Sequence, residues 1–285
     1  MAERNIRLTL EYKGTAYAGW QIQAGQPTVQ GELVAAIRKT TGCDVSVHGA
    51  GRTDAGVHAL GQVANFRIDH RLAPDRYRDA LNYYLPADIR IREAAEAPLS
   101  FHARRSAKAK RYRYVIAGER SALWREYRWE LAGREAAGAS PEAAGVLPPA
   151  DSLAGPGPGD SPAAPAPALR FDLLQQAAAL IVGEHDFAPF CVTASRKEDN
   201  RCRIDRAHWY RVGPLRVFEI RGNRFLHNMV RSLVGAMVNL AAESPDRHPD
   251  NLTLTRFADI IQAPNQQRIV FTAPARGLYL VSVHY

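Results

Sequence analysis

The chain has 285 residues, a net charge of +8, and 46% hydrophobic against 23% charged residues, which is the balance of a water-soluble globular protein. It is long enough for one large or two modest cores, and no uninterrupted apolar run approaches the length of a membrane span. Its three cysteines, Cys43, Cys191 and Cys202, form no CxxC pair, which argues against a disulfide framework or a zinc site and fits a reducing, cytoplasmic setting.

Met1 to Asn5 lead directly into a strand pattern, so no signal peptide is expected. Ile6, Leu8, Leu10 and Tyr12 alternate with Arg7, Thr9 and Glu11, predicting a strand with one face to water. A turn-rich segment from Lys13 to Gly25 follows. Thr28 is then a fitting N-cap for a helix carrying Val29, Leu33, Ala36, Ile37 and Thr40 at helical spacing, and Gly42 stops it. Val45 and Val47, then Ala64, Phe66 and Ile68, predict strands entering and leaving the stretch Gly49 to His58. Pro74 to Tyr84 reads as a helix, and Ile89 and Ile91 as a brief strand. Tyr112, Tyr114 and Ile116 share one strand face, with Arg111 and Arg113 on the other.

From Gly133 to Ala168 the chain changes character. This segment holds eight of the 18 prolines and no aromatic residue, so it is expected to be a disordered insert with no chemistry of its own. A second unit resumes at Arg170, with a helix over Phe171 to Ile181 ended by Gly183. A loop is expected at Glu184 to Phe187, and strands near Arg203 to Val212 and Leu215 to Arg221. Asn223 to Ala242 predicts one long helix, apolar all the way round and therefore buried. Arg231 lies on it, and a buried guanidinium wants a carboxylate or phosphate partner unless it snorkels out at the helix start. Tyr279 to Tyr285 predicts a last strand. The pattern is α+β: a largely antiparallel sheet in two related halves, helices on one side, a cleft between. The expected divisions are residues 1–118, a connecting segment 119–169, and 170–285.

Two clusters localise the positive charge. Arg104, Arg105, Lys108, Lys110, Arg111 and Arg113 have no acid among them, and eight arginines from Arg201 to Arg231 face only Asp205 and Glu219. Interleaved aromatics (Phe101, Tyr112, Tyr114; Trp209, Tyr210, Phe225) add stacking surfaces, so the pattern favours a folded RNA partner. Between the predicted strands, Gly49, Gly51 and Gly56 make a pliable loop that places Arg52 beside Asp54. Asp54 there presents a carboxylate to a substrate or bonds its own backbone as a turn residue, and the loop alone leaves both open.

Several segments together resemble the bacterial tRNA pseudouridine synthase A family. They are Gly51-Arg52-Thr53-Asp54-Ala55-Gly56-Val57-His58 with Gly61-Gln62-Val63; Tyr12-Lys13-Gly14 through Gly19-Trp20-Gln21; and Phe101-His102-Ala103-Arg104 with Arg111 to Tyr114. Gly183 to Phe187 with Phe190, Phe225 to Arg231, and Ala273 to Leu280 complete the ordered set. The resemblance implies isomerisation of uridine to pseudouridine at positions 38, 39 and 40 of the tRNA anticodon arm, without cofactor or metal, by a homodimer. It implies Asp54 as the catalytic carboxylate, acting on ribose C1′ or C2′, and Arg52 as the residue that manages a flipped-out nucleotide. Tyr112 would stack on the uracil, and Arg231 would pair with Asp54. His58, His102, His185 and His227 match the motifs but lack metal-ligand spacing, and are expected to be structural or RNA-contacting. The competing readings are a non-catalytic RNA-binding protein and a phosphate-binding metabolic enzyme, though the glycine loop lacks the Gly-Lys-Ser/Thr ending of a P-loop.

Overall fold

The computed structural model describes residues 3–131, 169–242, 252–263 and 271–285. The expected insert, Gly133 to Ala168, lies outside the described residues. The elements run β1 (Arg4–Tyr12), α1 (Val29–Thr41), β2 (His48–Gly49), β3 (His58–Ile68), α2 (Pro74–Tyr84), β4 (Ile89–Ala97), β5 (Ala109–Ala117) and β6 (Trp129–Glu130). After the undescribed stretch come α3 (Phe171–Leu180), β7 (Gly183–Asp186), β8 (Arg201–Val212), β9 (Leu215–Gly222), α4 (Met229–Ala241), α5 (Leu254–Gln262) and β10 (Leu278–His284).

Among the described residues the strands form one ten-stranded sheet in the order β4-β1-β3-β10-β5-β9-β8-β7, with β2 on β3 and β6 on β5. It is mainly antiparallel, and β10 is the seam: it runs parallel to β3 through Tyr279 and Leu280 and antiparallel to β5 through Leu278 to His284. Ile6, Leu8 and Leu10 of β1 are fully buried, as are Tyr114 and Ile116 of β5. They join one core with Leu33 and Ile37 of α1, Leu81 of α2, Leu174 of α3 and Leu233 of α4. Arg7, Thr9 and Glu11 of β1, and Arg111 and Arg113 of β5, alternate with that set and are only half-buried. No described helix is long and apolar enough to cross a membrane.

Local chemistry accounts for the elements that follow their sequence patterns. Thr28 Oγ1 accepts from Gly31 N at 3.2 Å to cap α1, and Gly42 closes it in the left-handed region at φ 73°. Elsewhere the structure departs from the pattern. The strand expected at Val45 and Val47 shrinks to His48–Gly49, because Gln30 Nε2 takes the Val47 carbonyl at 2.8 Å in place of a ladder partner. The expected loop at Glu184 to Phe187 is instead largely β7, paired with β8 through His185 opposite Cys202. The brief strand at Ile89 extends to Ala97, since its second half is a polar edge paired only with β1. The expected helix from Asn223 begins six residues later. Asn228 is left-handed at φ 64°, which no α-helix carries through, so Asn223 to Asn228 form a loop that feeds α4. Eleven of the thirteen α4 residues are buried, Arg231 not among them. Helix α5, capped by Thr253 and anchored by Phe257 and Ile261, had no counterpart in the sequence reading.

Candidate active site

Residues 50–57 turn from β2 into β3, and their backbone is held from three sides. Trp20 N donates to Thr53 O at 3.0 Å, Gly56 N to Tyr17 O at 3.3 Å, and Gln62 Nε2 to Gly51 O at 2.8 Å. Below the loop, the buried Tyr12 hydroxyl meets Thr53 Oγ1 at 2.8 Å. The segment around residue 19 fits this closely only because it lacks a side chain. Gly19 sits at φ 101°, and a Cβ there would stand 2.6 Å from Thr53 O. His58 locks the far end: its Nδ1 accepts from Gly14 N at 3.0 Å, and Nε2 faces the carbonyls of Glu126 and Arg276. One acceptor and one donor nitrogen define a neutral ring, and burial pushes its pKa below the usual histidine value.

This scaffold leaves the Asp54 side chain facing away from its own backbone. Arg231 Nη1 lies 3.3 Å from Oδ2, and His227 Nε2 lies 3.6 Å from Oδ1. Arg231 is fixed in turn: Nε donates to Ala273 O at 2.8 Å and Nη1 to Asn228 Oδ1 at 3.0 Å. The left-handed turn at Asn228 thus serves two ends, starting α4 and aiming an amide oxygen at the guanidinium. His227 is oriented from behind by Ser195, whose Oγ lies 2.8 Å from Nδ1. The carboxylate and guanidinium are 24% and 18% exposed, dry enough for the pair to matter and open enough for a ligand to reach the acid.

Asp54, Arg231 and His227 lie in a cleft of about 1370 Å³ that Tyr112, Lys110 and Arg52 also line. Tyr112 stands on the core-side face of β5, its ring 5.0 Å from Phe225 and nearly edge-on at 75°. Burial, with the Tyr12 and Asp54 charges adding to it, drives its phenol pKa well above the ordinary tyrosine value, so it is a neutral hydroxyl at physiological pH. Arg52 is exposed at the rim, with Nε 3.2 Å from Gln21 Oε1 and no acid partner among the described residues. His102 also borders the cleft, stacked on His48 at 4.6 Å. Burial first, then Arg105, lowers its pKa. His185 lies apart from the cleft, near the carbonyl of Val182. Arg111 and Arg113 point to the other face of the sheet, where both reach Glu219 at 3.4 and 3.1 Å.

All four residues singled out from sequence therefore line one cavity, three at its floor and Arg52 at its edge. Sequence reading named His227 only as a structural or RNA-contacting histidine, and Ser195 not at all. His227 lies four residues before Arg231, a spacing that would have put both on one helix face, but the helix starts after it. Ser195, in a short 3-10 turn, carries no periodic signal. Among the described residues no group of three His, Cys, Asp or Glu side chains is placed to share a metal ion.

The arrangement offers an anchored carboxylate, a buried phenol and a basic rim, the parts needed to seat a polyanion and act on one of its sugars. Comparison with known proteins agrees in kind. The sequence model of a tRNA pseudouridine synthase family matches residues 9–104 and 177–285. Curated proteins called tRNA pseudouridine synthase A are similar over nearly their whole length. One from Brachyspira hyodysenteriae is 35% identical over 96% of this chain and 96% of its own. One from Acetivibrio thermocellus is 36% identical over 99% and 100%, and one from Moorella thermoacetica 36% over 98% and 99%.

Proposed function

The chain belongs to the tRNA pseudouridine synthase family, and from that premise we propose that it converts uridine to pseudouridine at positions 38, 39 and 40 of the tRNA anticodon stem-loop, with Asp54 acting on the reacting nucleotide. It is an isomerase whose substrate is tRNA. The observation that carries the residue assignment is the Asp54 carboxylate, bonded at one oxygen by Arg231 and approached at the other by His227, at the floor of a basic cleft.

The reaction breaks the C1′–N1 bond, turns the uracil, joins C5 to C1′ and releases the C5 proton. It is internally balanced, so our reading includes no redox partner or cofactor. A stem uridine must first leave its helix, at a cost of a few kcal/mol. Arg52 at the rim is suited to hold the flanking backbone or fill the gap. The uracil then rests against Tyr112, whose neutral hydroxyl keeps the freed base in place while it rotates. Asp54 attacks C1′ or removes the C2′ proton. Each oxygen retains a lone pair beyond its Arg231 or His227 contact, so the geometry serves both courses. A primary deuterium isotope effect at C2′ separates them: large for proton removal, with only a small secondary effect for attack at C1′.

We read residues 1–118 and 170–285 as two related halves joined through 119–169, and the enzyme as a homodimer. Sedimentation of the purified protein alone and with tRNA tests the dimer. For the reaction, transcribed tRNAs incubated with the protein are mapped for pseudouridine. Modification confined to positions 38–40 is expected. Modification elsewhere overturns the site assignment, and none at all overturns the reading.

A further inference from the structure

Lys110 is one of the cations lining the cleft that the chemistry above leaves unused. It precedes Tyr112 by two residues on β5, so both side chains leave the same face of the sheet, about 7 Å apart along the strand. Its stem lies across the catalytic loop at Gly51, where a Cβ would stand 3.2 Å from Lys110 Cε and 3.7 Å from Nζ. The backbone that leads into Arg52 and Asp54 is therefore packed directly on this lysine.

The ammonium has no hydrogen bond and no acid within ion-pairing reach among the described residues, whereas Lys13 pairs with Glu126. Burial first, then the like charge of Arg104, lowers its pKa. A half-buried ammonium beside a second cation is costly until an anion joins it. The stem could simply cover Gly51, with the charge idle. Two features speak against that. Lys110 lines the cleft, and it lies two residues along the strand from the ring assigned to the uracil.

We infer that Lys110 is a phosphate seat, taking a backbone phosphate adjacent to the flipped uridine and so setting which nucleotide reaches Asp54. This rests on the tRNA reading above. It makes Lys110 a positioning residue, acting through the RNA backbone and not on the reacting atoms.

The test compares wild type, Lys110→Met and Lys110→Arg in binding an anticodon stem-loop RNA over a range of salt. Met keeps the stem and removes the charge. It should weaken binding about tenfold or more and flatten the slope of log Kd against log salt by about 0.7–0.9, the value of one phosphate contact. Arg should restore both. A single methylphosphonate beside the target uridine should weaken wild type to the same degree and Lys110→Met no further. An unchanged slope, or additive losses from the two changes, overturns the seat. Should Lys110→Met fail to fold, the methylphosphonate scan of wild type decides alone, and no sensitive phosphate beside the target refutes the proposal. Failure of the seat is distinguishable from failure of the function. A wild type that forms pseudouridine with an unchanged slope in the variant sinks only the seat, while a wild type that forms none sinks the tRNA isomerase reading.

Discussion

Replacing Arg231 with Met removes the Asp54 contact and two further bonds while keeping most of the side chain's length. At an effective dielectric of about 20, unit charges 3.3 Å apart attract by roughly 5 kcal/mol before desolvation. Both groups are partly exposed, so the net loss falls nearer the range of a charge-assisted hydrogen bond, about 1.5–3 kcal/mol. If that interaction holds Asp54 in its reacting position, the chemical step slows by about 10- to 150-fold. The Ala273 carbonyl loses its side-chain donor at the same time, which adds about 1–3 kcal/mol of destabilisation. The melting temperature should fall by a few degrees, at about 2–4 °C per kcal/mol. The assay is single-turnover release of tritium from C5-labelled uridine in tRNA, read beside thermal melting. Arg231→Lys, which keeps the charge but not the fork, should fall between wild type and Met. A folded Arg231→Met whose chemical step stays within twofold of wild type would refute the coupling.

Arg52→Ala should lower kcat/KM with no change in melting temperature, and a substrate whose target uridine is already unpaired should recover most of the loss. Equal defects on paired and unpaired targets would remove Arg52 from base flipping. Gly19→Ala should destabilise the protein by about 2 kcal/mol or more, because a Cβ at φ 101° meets Thr53 O at 2.6 Å. A neutral melting curve would show that the loop is not packed as described. Stability should fall steeply above about pH 10. Burial raises the folded-state pKa of Tyr12, Tyr112 and Tyr279, so below that pH both states keep these protons and nothing is lost. Above it the unfolded chain releases them while the folded one holds them. Each such group then costs about 1.4 kcal/mol per pH unit, and a flat profile from pH 9 to 11.5 would contradict the burial.

What was legible from sequence is what local periodicity and capping determine. The alternation in β1 and β5, the Thr28 and Gly42 limits of α1, and the all-round apolar α4 each follow from residues within one element. The misreadings arise where a distant partner decides. Strand β7 has four residues and exists because β8 pairs with it, and Val47 leaves the sheet because a glutamine from α1 takes its carbonyl. The α4 start depends on one left-handed asparagine, which apolar spacing does not register. At the site, a guanidinium on a buried helix called for a carboxylate or a phosphate, and the structure sets Arg231 beside Asp54 across 177 positions of sequence. The support from Ser195 through His227 carries no such demand, since neither residue is buried or charged enough to require a partner.

The central claim, that the Asp54 carboxylate carries the isomerisation, is tested most directly by Asp54→Asn. This change keeps the shape of the side chain and removes its charge. Pseudouridine formation on a transcribed tRNA is measured in a single turnover, with tRNA affinity determined on the same samples. We expect formation to fall below detection while affinity stays within a few-fold of wild type. Pseudouridine formed by the variant at the wild-type rate would contradict the assignment.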